Sequence, residues 1–147
     1  MLENTEIRAG LCSRLLTEEL QLIRTYAEAI GRFEGSPYES LIVLIHANHE
    51  KNAGDLRVFV NYSGKAFSDL IPASRVGRRS LENPVDLPAL EKLVEGEKHA
   101  MTEYEAALVD PHISEELRTC ISGKLILRLQ EHVVVLRLIR SSVPEFR

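Results

Sequence analysis

The chain has 147 residues, 44% of them hydrophobic and 27% charged, which suits one soluble domain with a buried core. Its net charge of −4 gives no electrostatic reason to bind nucleic acid. No apolar run is long enough to span a bilayer, and the polar, acidic N-terminus is unlike a signal peptide. Cys12 and Cys120 lack metal-type spacing and are too few for a disulfide framework, so we expect reduced thiols in a cytoplasmic protein.

Hydrophobic periodicity and cap residues predict two helices in the first part of the chain. Segment A runs from Thr5 or Ser13 to Phe33, and Gly35 suits the position just after a helix. Segment B starts at the capping box Ser36–Glu39. We expect it to include RVFVNY at 57–62 as its last turns.

Two further helices follow a long break. Residues 61–88 hold several Pro and Gly residues without sustained periodicity, and a link of this length can run along a whole bundle. Segment C spans Leu87 to Leu108 with Asp86 as its N-cap, and segment D runs from the Ser114 cap to about Arg140. The order predicts an all-α four-helix bundle, with a long crossover between helices 2 and 3 and one domain over 1–147.

A short pattern occurs twice, once in segment A and once in segment C. Glu19 precedes Tyr26 by seven residues, and Glu97 precedes Tyr104 by the same spacing. Seven residues are about two helical turns, so each Glu shares a face with its Tyr. The repeat indicates a duplicated helical hairpin with a polar centre.

Helical-wheel positions place polar side chains on the buried faces of three segments. Glu19, His49 and Glu97 lie inside the apolar arcs of segments A, B and C, and His46 lies at the edge of the arc in B. Because burying an unpaired charge costs several kcal/mol, we expect these groups to meet at mid-bundle height and to be neutralised there.

Two arrangements would neutralise such a cluster. A divalent metal would bind between carboxylates and imidazoles, with Glu19, His46, His49 and Glu97 as its ligands, and iron, manganese or zinc as the ion. Alternatively, a cation of segment D would pair with the carboxylates.

Segment D bears on this choice. One of its faces carries Lys124, Arg128 and Glu131 among apolar residues. No Glu-x-x-His motif occurs there, and His132 follows Glu131 directly, so their side chains point about 100° apart on a helix. Lys124 or Arg128 is therefore expected where further metal ligands would lie. The sequence is consistent with either a core ion pair or a metal site.

Segment D also has more apolar surface than one face of a bundle needs. A helix that is apolar on most sides is usually covered on most sides, either by the crossover or by a partner. We expect a homodimer through helix 4. The first stripe is Leu117, Ile121, Val135 and Ile139, and the second is Leu125, Leu129, Val133 and Leu136.

The Glu-x6-Tyr motif of segment A resembles the first helix of the rubrerythrin branch of ferritin-like proteins. Segment C, GEKHAMTEYEAAL, resembles the third helix of a small bacterial ferritin-like family of unknown function, which often reads GE-x-x-A-x-x-x-YE-x-AL. The resemblance covers about 13–60 and 86–140 and implies a ferritin-like bundle.

The resemblance also implies a ligand set. Glu19 and Glu97 take the places of the two single glutamate ligands. His46-x-x-His49 takes the place of the first Glu-x-x-His pair, with His where the bridging Glu would be. The matching pair in segment D is not found.

Two functions are expected from these observations. The first is a non-enzymatic bundle with a degenerate metal site, acting through its surface as a stress-related or scaffold protein. The alternative is a metal-binding protein, di-iron or mononuclear, with oxidase or metal-handling activity. Neither involves nucleic acid or a membrane.

Overall fold

The structure is a computed structural model that describes residues 2–59 and 86–142. Within these two stretches the chain forms helices joined by short turns, and no strand occurs. The elements are α1 (Leu2–Arg32), α2 (Glu39–Arg57), α3 (Leu87–Leu108), α4 (Glu115–Cys120), a π-helical turn (Ile121–Leu125) and α5 (Ile126–Ser142). α4, the π-turn and α5 form one continuous helix, which we call the fourth helix. The prediction of an all-α fold is confirmed for this part of the chain.

Contacts between helices fix their directions. α1 is antiparallel to α2 and α3, and α5 is antiparallel to both of those helices. Consequently α2 ends and α3 begins at opposite ends of the bundle, as a long crossover requires. α1 and α2 share the most extensive contact, and α2 and α5 the least extensive of the four adjacent pairs. The side-chain pairs that establish the directions of α3 and α5 are Arg14–Glu103, Arg32–Asp86, Glu91–Arg140, Tyr38–Ser142 and Asn52–Arg128.

The predicted caps are confirmed at two helices and shifted at a third. Asp86 accepts a hydrogen bond from the Ala89 amide, and Ser114 accepts one from the Leu117 amide. α2 begins only at Glu39, whose carboxylate accepts from the Gly35 amide instead of capping at Ser36. The capping-box residues therefore stabilise the turn before α2 rather than its first turn.

Segment B is also shorter than predicted. α2 ends at Arg57, and turn residues Val58 and Phe59 follow. The rest of the RVFVNY stretch and nearly all of the predicted crossover, residues 60–85, lie outside the described residues.

The π-turn changes the phase of the fourth helix. The Ile126 amide donates to the carbonyl of Ile121, five residues earlier, so the turn holds one residue more than an α-turn would. One extra residue rotates all later side chains by about 100° relative to an uninterrupted α-helix. The turn therefore decides which face of α5 meets the core.

This rotation explains why two apolar stripes were found in segment D. The core takes the first stripe before the π-turn and mainly the second stripe after it. The buried residues are Leu117, Ile121, Leu125, Leu129, Val133, Leu136 and Ile139. The apolar side chains left exposed on α5 are different ones, Leu127, Val134 and Leu138, at 51%, 56% and 63% exposure. The homodimer through helix 4 stays a prediction, and it would now use these three residues.

None of the described helices is both long and apolar enough to cross a lipid bilayer.

Candidate metal centre

The duplicated Glu–Tyr pairs of α1 and α3 bond crosswise at the centre of the bundle. The Tyr26 hydroxyl donates to Glu97 Oε2 at 2.5 Å, and the Tyr104 hydroxyl donates to Glu19 Oε2 at 2.5 Å. All four side chains are fully buried. The repeat therefore encodes a symmetric frame, in which each helix supplies the hydroxyl that holds the carboxylate of the other.

Gly96 leaves room for the Leu22 side chain of α1 beside this frame. A Cβ at Gly96 would lie 2.7 Å from Leu22 Cδ2, closer than side-chain atoms pack. Gly96 directly precedes Glu97, so the close approach falls at the height of the carboxylates.

His49 of α2 lies between the two carboxylates. Its Nδ1 is 2.7 Å from Glu19 Oε1 and its Nε2 is 2.6 Å from Glu97 Oε2. A carboxylate only accepts hydrogen bonds, so both ring nitrogens carry a proton and His49 is an imidazolium. Asn52, one turn further along α2, donates to Glu19 Oε2 at 3.4 Å.

The electrostatics agree with this assignment. Burial alone would lower the pKa of His49, but Glu19 and Glu97 outweigh burial and raise it from 6.5 to about 10. Burial alone would raise the pKa of Glu97, but His49, together with the hydrogen bonds of His132 and His49, lowers it to about 2. Burial, and then the carboxylate that each phenol contacts, raises the pKa values of Tyr26 and Tyr104 well above 10.

His132 brings α5 into the site. It is 2% exposed, its Nδ1 lies 3.3 Å from Glu97 Oε1, and its ring centroid is 4.7 Å from that of His49. One ligand atom from each of His49, Glu97 and His132 lies within 4.8 Å of the other two. Within residues 2–59 and 86–142, these three buried residues form the group whose ligand atoms could hold a metal ion.

Three of the four predicted ligands meet at this site. Glu19, His49 and Glu97 converge. Glu19, however, contacts Nδ1 of the His49 ring and is not part of the cluster formed by His49, Glu97 and His132. His46 is half-buried on the neighbouring side of α2, with Nδ1 3.9 Å from Glu50 and a buried Nε2 that has no hydrogen-bond partner in residues 2–59 and 86–142. The structure places His132, not His46, beside Glu97 and His49.

The predicted cation from segment D is also placed elsewhere. Lys124 is exposed, and Arg128 donates to Asn52 Oδ1 at 2.7 Å and to Asp55 Oδ2 at 2.9 Å. The expectation that Lys124 or Arg128 pairs with the carboxylates is therefore wrong in this structure, because Lys124 is exposed within the π-turn and Arg128, rotated by that turn, pairs with Asp55 instead. His49 supplies the positive charge instead.

His132 was missed because its recognition required the π-turn. On an uninterrupted α-helix, Lys124 and Arg128 face the core and His132 lies beside that face. The signal in the sequence was the second apolar stripe, Leu125, Leu129, Val133 and Leu136, which has His132 on the same side of the helix.

The donor set fits one divalent transition metal. Two imidazoles and a carboxylate suit iron, manganese or zinc. Metal–ligand bonds of about 2.0–2.2 Å allow ligand atoms to lie up to roughly 4.4 Å apart, so the observed cluster needs only small shifts. Glu19, which accepts from His49 Nδ1, lies where an outer carboxylate would orient His49 if that residue held a metal.

Comparison of the chain with protein-family models, with curated proteins and with solved structures finds no match.

Proposed function

We propose that this chain is a ferritin-like four-helix-bundle protein that binds one divalent transition-metal ion through His49, Glu97 and His132. The observation that supports the proposal is the buried convergence of these three ligand atoms from three helices. The ferritin-like assignment is supported by the helix directions, because α2 ends and α3 begins at opposite ends of the bundle.

Charge favours the exchange of a proton for a metal at this site. With Glu19 and Glu97 ionised and His49 protonated, these three side chains carry a net charge of −1. A divalent ion that displaces the Nε2 proton of His49 would bring the sum to zero, and binding would release that proton. A bound ion would supply Lewis acidity and, for iron or manganese, redox capacity.

We propose one ion rather than two because of the position of His49. Its ring stands between Glu19 and Glu97, and both carboxylates already accept bonds from it. The oxygens of Glu19 are further occupied by Tyr104 and Asn52. Among the described residues, this arrangement leaves no carboxylate placed to bridge a pair of metals, so the proposed activity is metal handling at a single site.

A cobalt titration with metal analysis tests the proposal. We expect the wild-type protein to bind about one Co(II) per chain with a visible spectrum that reports imidazole ligands. His132→Gln should reduce occupancy at equal free metal to below about a tenth, because an inner ligand is lost. His46→Gln is the matched control on α2, and it should bind like the wild type. Wild-type protein that takes up no stoichiometric metal would end this proposal.

A second candidate is the non-enzymatic bundle, in which the polar core is only a structural ion pair. It is favoured by one specific observation, namely that both ring nitrogens of His49 already face carboxylates at hydrogen-bond distance. Under this candidate the wild type binds no Co(II), and His132→Gln and His46→Gln behave alike in the titration.

A further inference from the structure

The outward end of the His132 ring has a partner that can change its role. His132 Nε2 lies 3.1 Å from Nδ2 of Asn48, a half-buried residue of α2. Asn48 directly precedes His49, and neighbouring residues on a helix point about 100° apart. α2 therefore holds both histidines of the site, His49 as its own residue and His132 through the Asn48 amide.

The hydrogen bonds define the tautomer of His132 in the metal-free site. The Asn48 amide nitrogen donates to Nε2, so the ring proton is on Nδ1 and points at Glu97 Oε1. Nδ1 is also the nitrogen that faces the proposed metal position. Metal binding there requires the proton to leave Nδ1 and a proton to be carried on Nε2, with no net change in the charge of His132.

An asparagine can accommodate both tautomers. Its amide has a donor end and an acceptor end, which exchange places when the side-chain amide turns by about 180°. With the proton on Nε2, the Asn48 amide nitrogen would face another donor, whereas its Oδ1 would accept from it. Leucine, of similar size, has neither a donor nor an acceptor end and would favour neither tautomer. Aspartate only accepts and would favour a proton on Nε2.

We propose that Asn48 is a positioning residue for the metal site, which sets the tautomer of His132 and allows it to switch by turning its amide. This inference rests on the proposed metal-binding function. Asn48 does not contact the metal position itself. It acts only through His132, in the way that outer hydrogen-bond partners orient metal-bound histidines in general.

Two substitutions at Asn48 test the assignment in opposite directions. In Asn48→Asp the carboxylate only accepts, so it holds a proton on Nε2, as metal binding at Nδ1 requires, and should make Co(II) binding tighter than in the wild type. In Asn48→Leu the ring loses its outer partner, and Co(II) binding should weaken by about 10-fold or more. Lys51→Leu, an exposed change three residues further along α2, is the matched control and should leave the affinity unchanged.

Because the aspartate also adds negative charge, the tautomer is read directly by ¹⁵N NMR of histidine-labelled, metal-free protein. We expect a proton on Nδ1 only in wild-type His132, and protons on both Nδ1 and Nε2 in Asn48→Asp, where the ring lies between two carboxylates as His49 does. Equal Co(II) affinity in the wild type and both variants, or His132 without a proton on Nε2 in Asn48→Asp, would overturn the role of Asn48 alone. Wild-type protein that binds no Co(II) would instead overturn the proposed function, and the role of Asn48 with it.

Discussion

The α1–α3 pair and the pair formed by α2 and the fourth helix contribute to the same polar centre in different ways. α1 and α3 are equivalent, since each gives one glutamate and one tyrosine that bond crosswise at the same distance. α2 and the fourth helix are not equivalent. His49 contacts both carboxylates, whereas His132 contacts Glu97 at 3.3 Å on one side and Asn48 on the other.

This difference defines two parts of the site, a fixed frame and an adjustable residue, His132. The frame is fully buried, and we count His49 as part of it because it contacts both carboxylates. Its side chains hydrogen-bond to one another, which makes the loss of any member costly. His132 lies at the α2–α5 contact, the least extensive of the four adjacent helix pairs, and it depends on a π-turn for its orientation. Such turns occur frequently at functional sites.

The largest expected effect is the difference in unfolding free energy between two one-residue deletions in the fourth helix. Deleting exposed Gln130 from regular α5 should rotate His132, Leu136 and Ile139 out of the core, at a cost of at least about 5 kcal/mol from the buried aliphatic groups alone. Deleting exposed Gly123 from the π-turn should restore an α-turn and keep those residues facing the core, at a cost below about 2 kcal/mol. Urea unfolding in the presence of a chelator measures both.

The Gly123 position also offers a control that keeps the chain length. A Cβ there meets no atom of the described part of the chain within 4 Å, so Gly123→Ala should be neutral or stabilise the protein by up to about 1 kcal/mol. If the two deletions proved equally destabilising, the π-turn would not be the element that sets the phase of α5.

The next effect compares the two histidines. His49→Leu leaves two carboxylates buried without their counter-charge, and we expect a loss of about 3–5 kcal/mol in metal-free protein. His132→Leu removes one long hydrogen bond to Glu97 and one to Asn48, so a loss of about 1–2 kcal/mol is expected. Equal losses would contradict the division between a fixed frame and an adjustable residue.

Much of the frame could be predicted from the sequence, because its signals are local. The Glu-x6-Tyr spacing placed both carboxylates in the core, and capping chemistry located the starts of α3 and α4 at Asp86 and Ser114. Periodicity in segment B put His49 inside. These features depend on helical geometry within one segment, and residue spacing in the sequence specifies that geometry directly.

The adjustable part could not be predicted, because it depends on a change of helical phase. No residue in Ile121–Leu125 requires a π-turn by its own conformational preference. The turn forms because it lets Leu117 and Ile121 before it, and the second stripe after it, face one core. His46 was placed in the site for a related reason. Its position at the edge of the buried arc did not specify which neighbouring helix it would meet.

A smaller effect tests the symmetry of the frame. Tyr26→Phe and Tyr104→Phe each remove one short hydrogen bond to a buried carboxylate, and each should cost about 1.5–3 kcal/mol in metal-free protein. Because the two bonds are equivalent, the two losses should agree within about 0.5 kcal/mol by urea unfolding. A difference of several-fold would show that the carboxylates of α1 and α3 are not held alike.

The last expected effect is the pH dependence of stability in metal-free protein, where the change is small for each pH unit. The pKa of His49 is raised from 6.5 to about 10, so its contribution is complete below pH 6.5 and is lost as the pH rises towards 10. The pKa of Glu97 is lowered from 4.5 to about 2, so its contribution is complete above pH 4.5 and is lost as the pH falls towards 2.

These two groups therefore stabilise the metal-free bundle most between about pH 4.5 and 6.5, with a decline above that range of up to about 1.4 kcal/mol per pH unit. Urea unfolding at several pH values between 5.5 and 9, in the presence of a chelator, should show the decline in the wild type and in His99→Gln, where the lost histidine is an exposed one. His49→Gln should remove most of it. Because His49 is the charge on which both halves of the frame depend, an unchanged pH profile in His49→Gln would mean that the imidazolium between Glu19 and Glu97 does not exist.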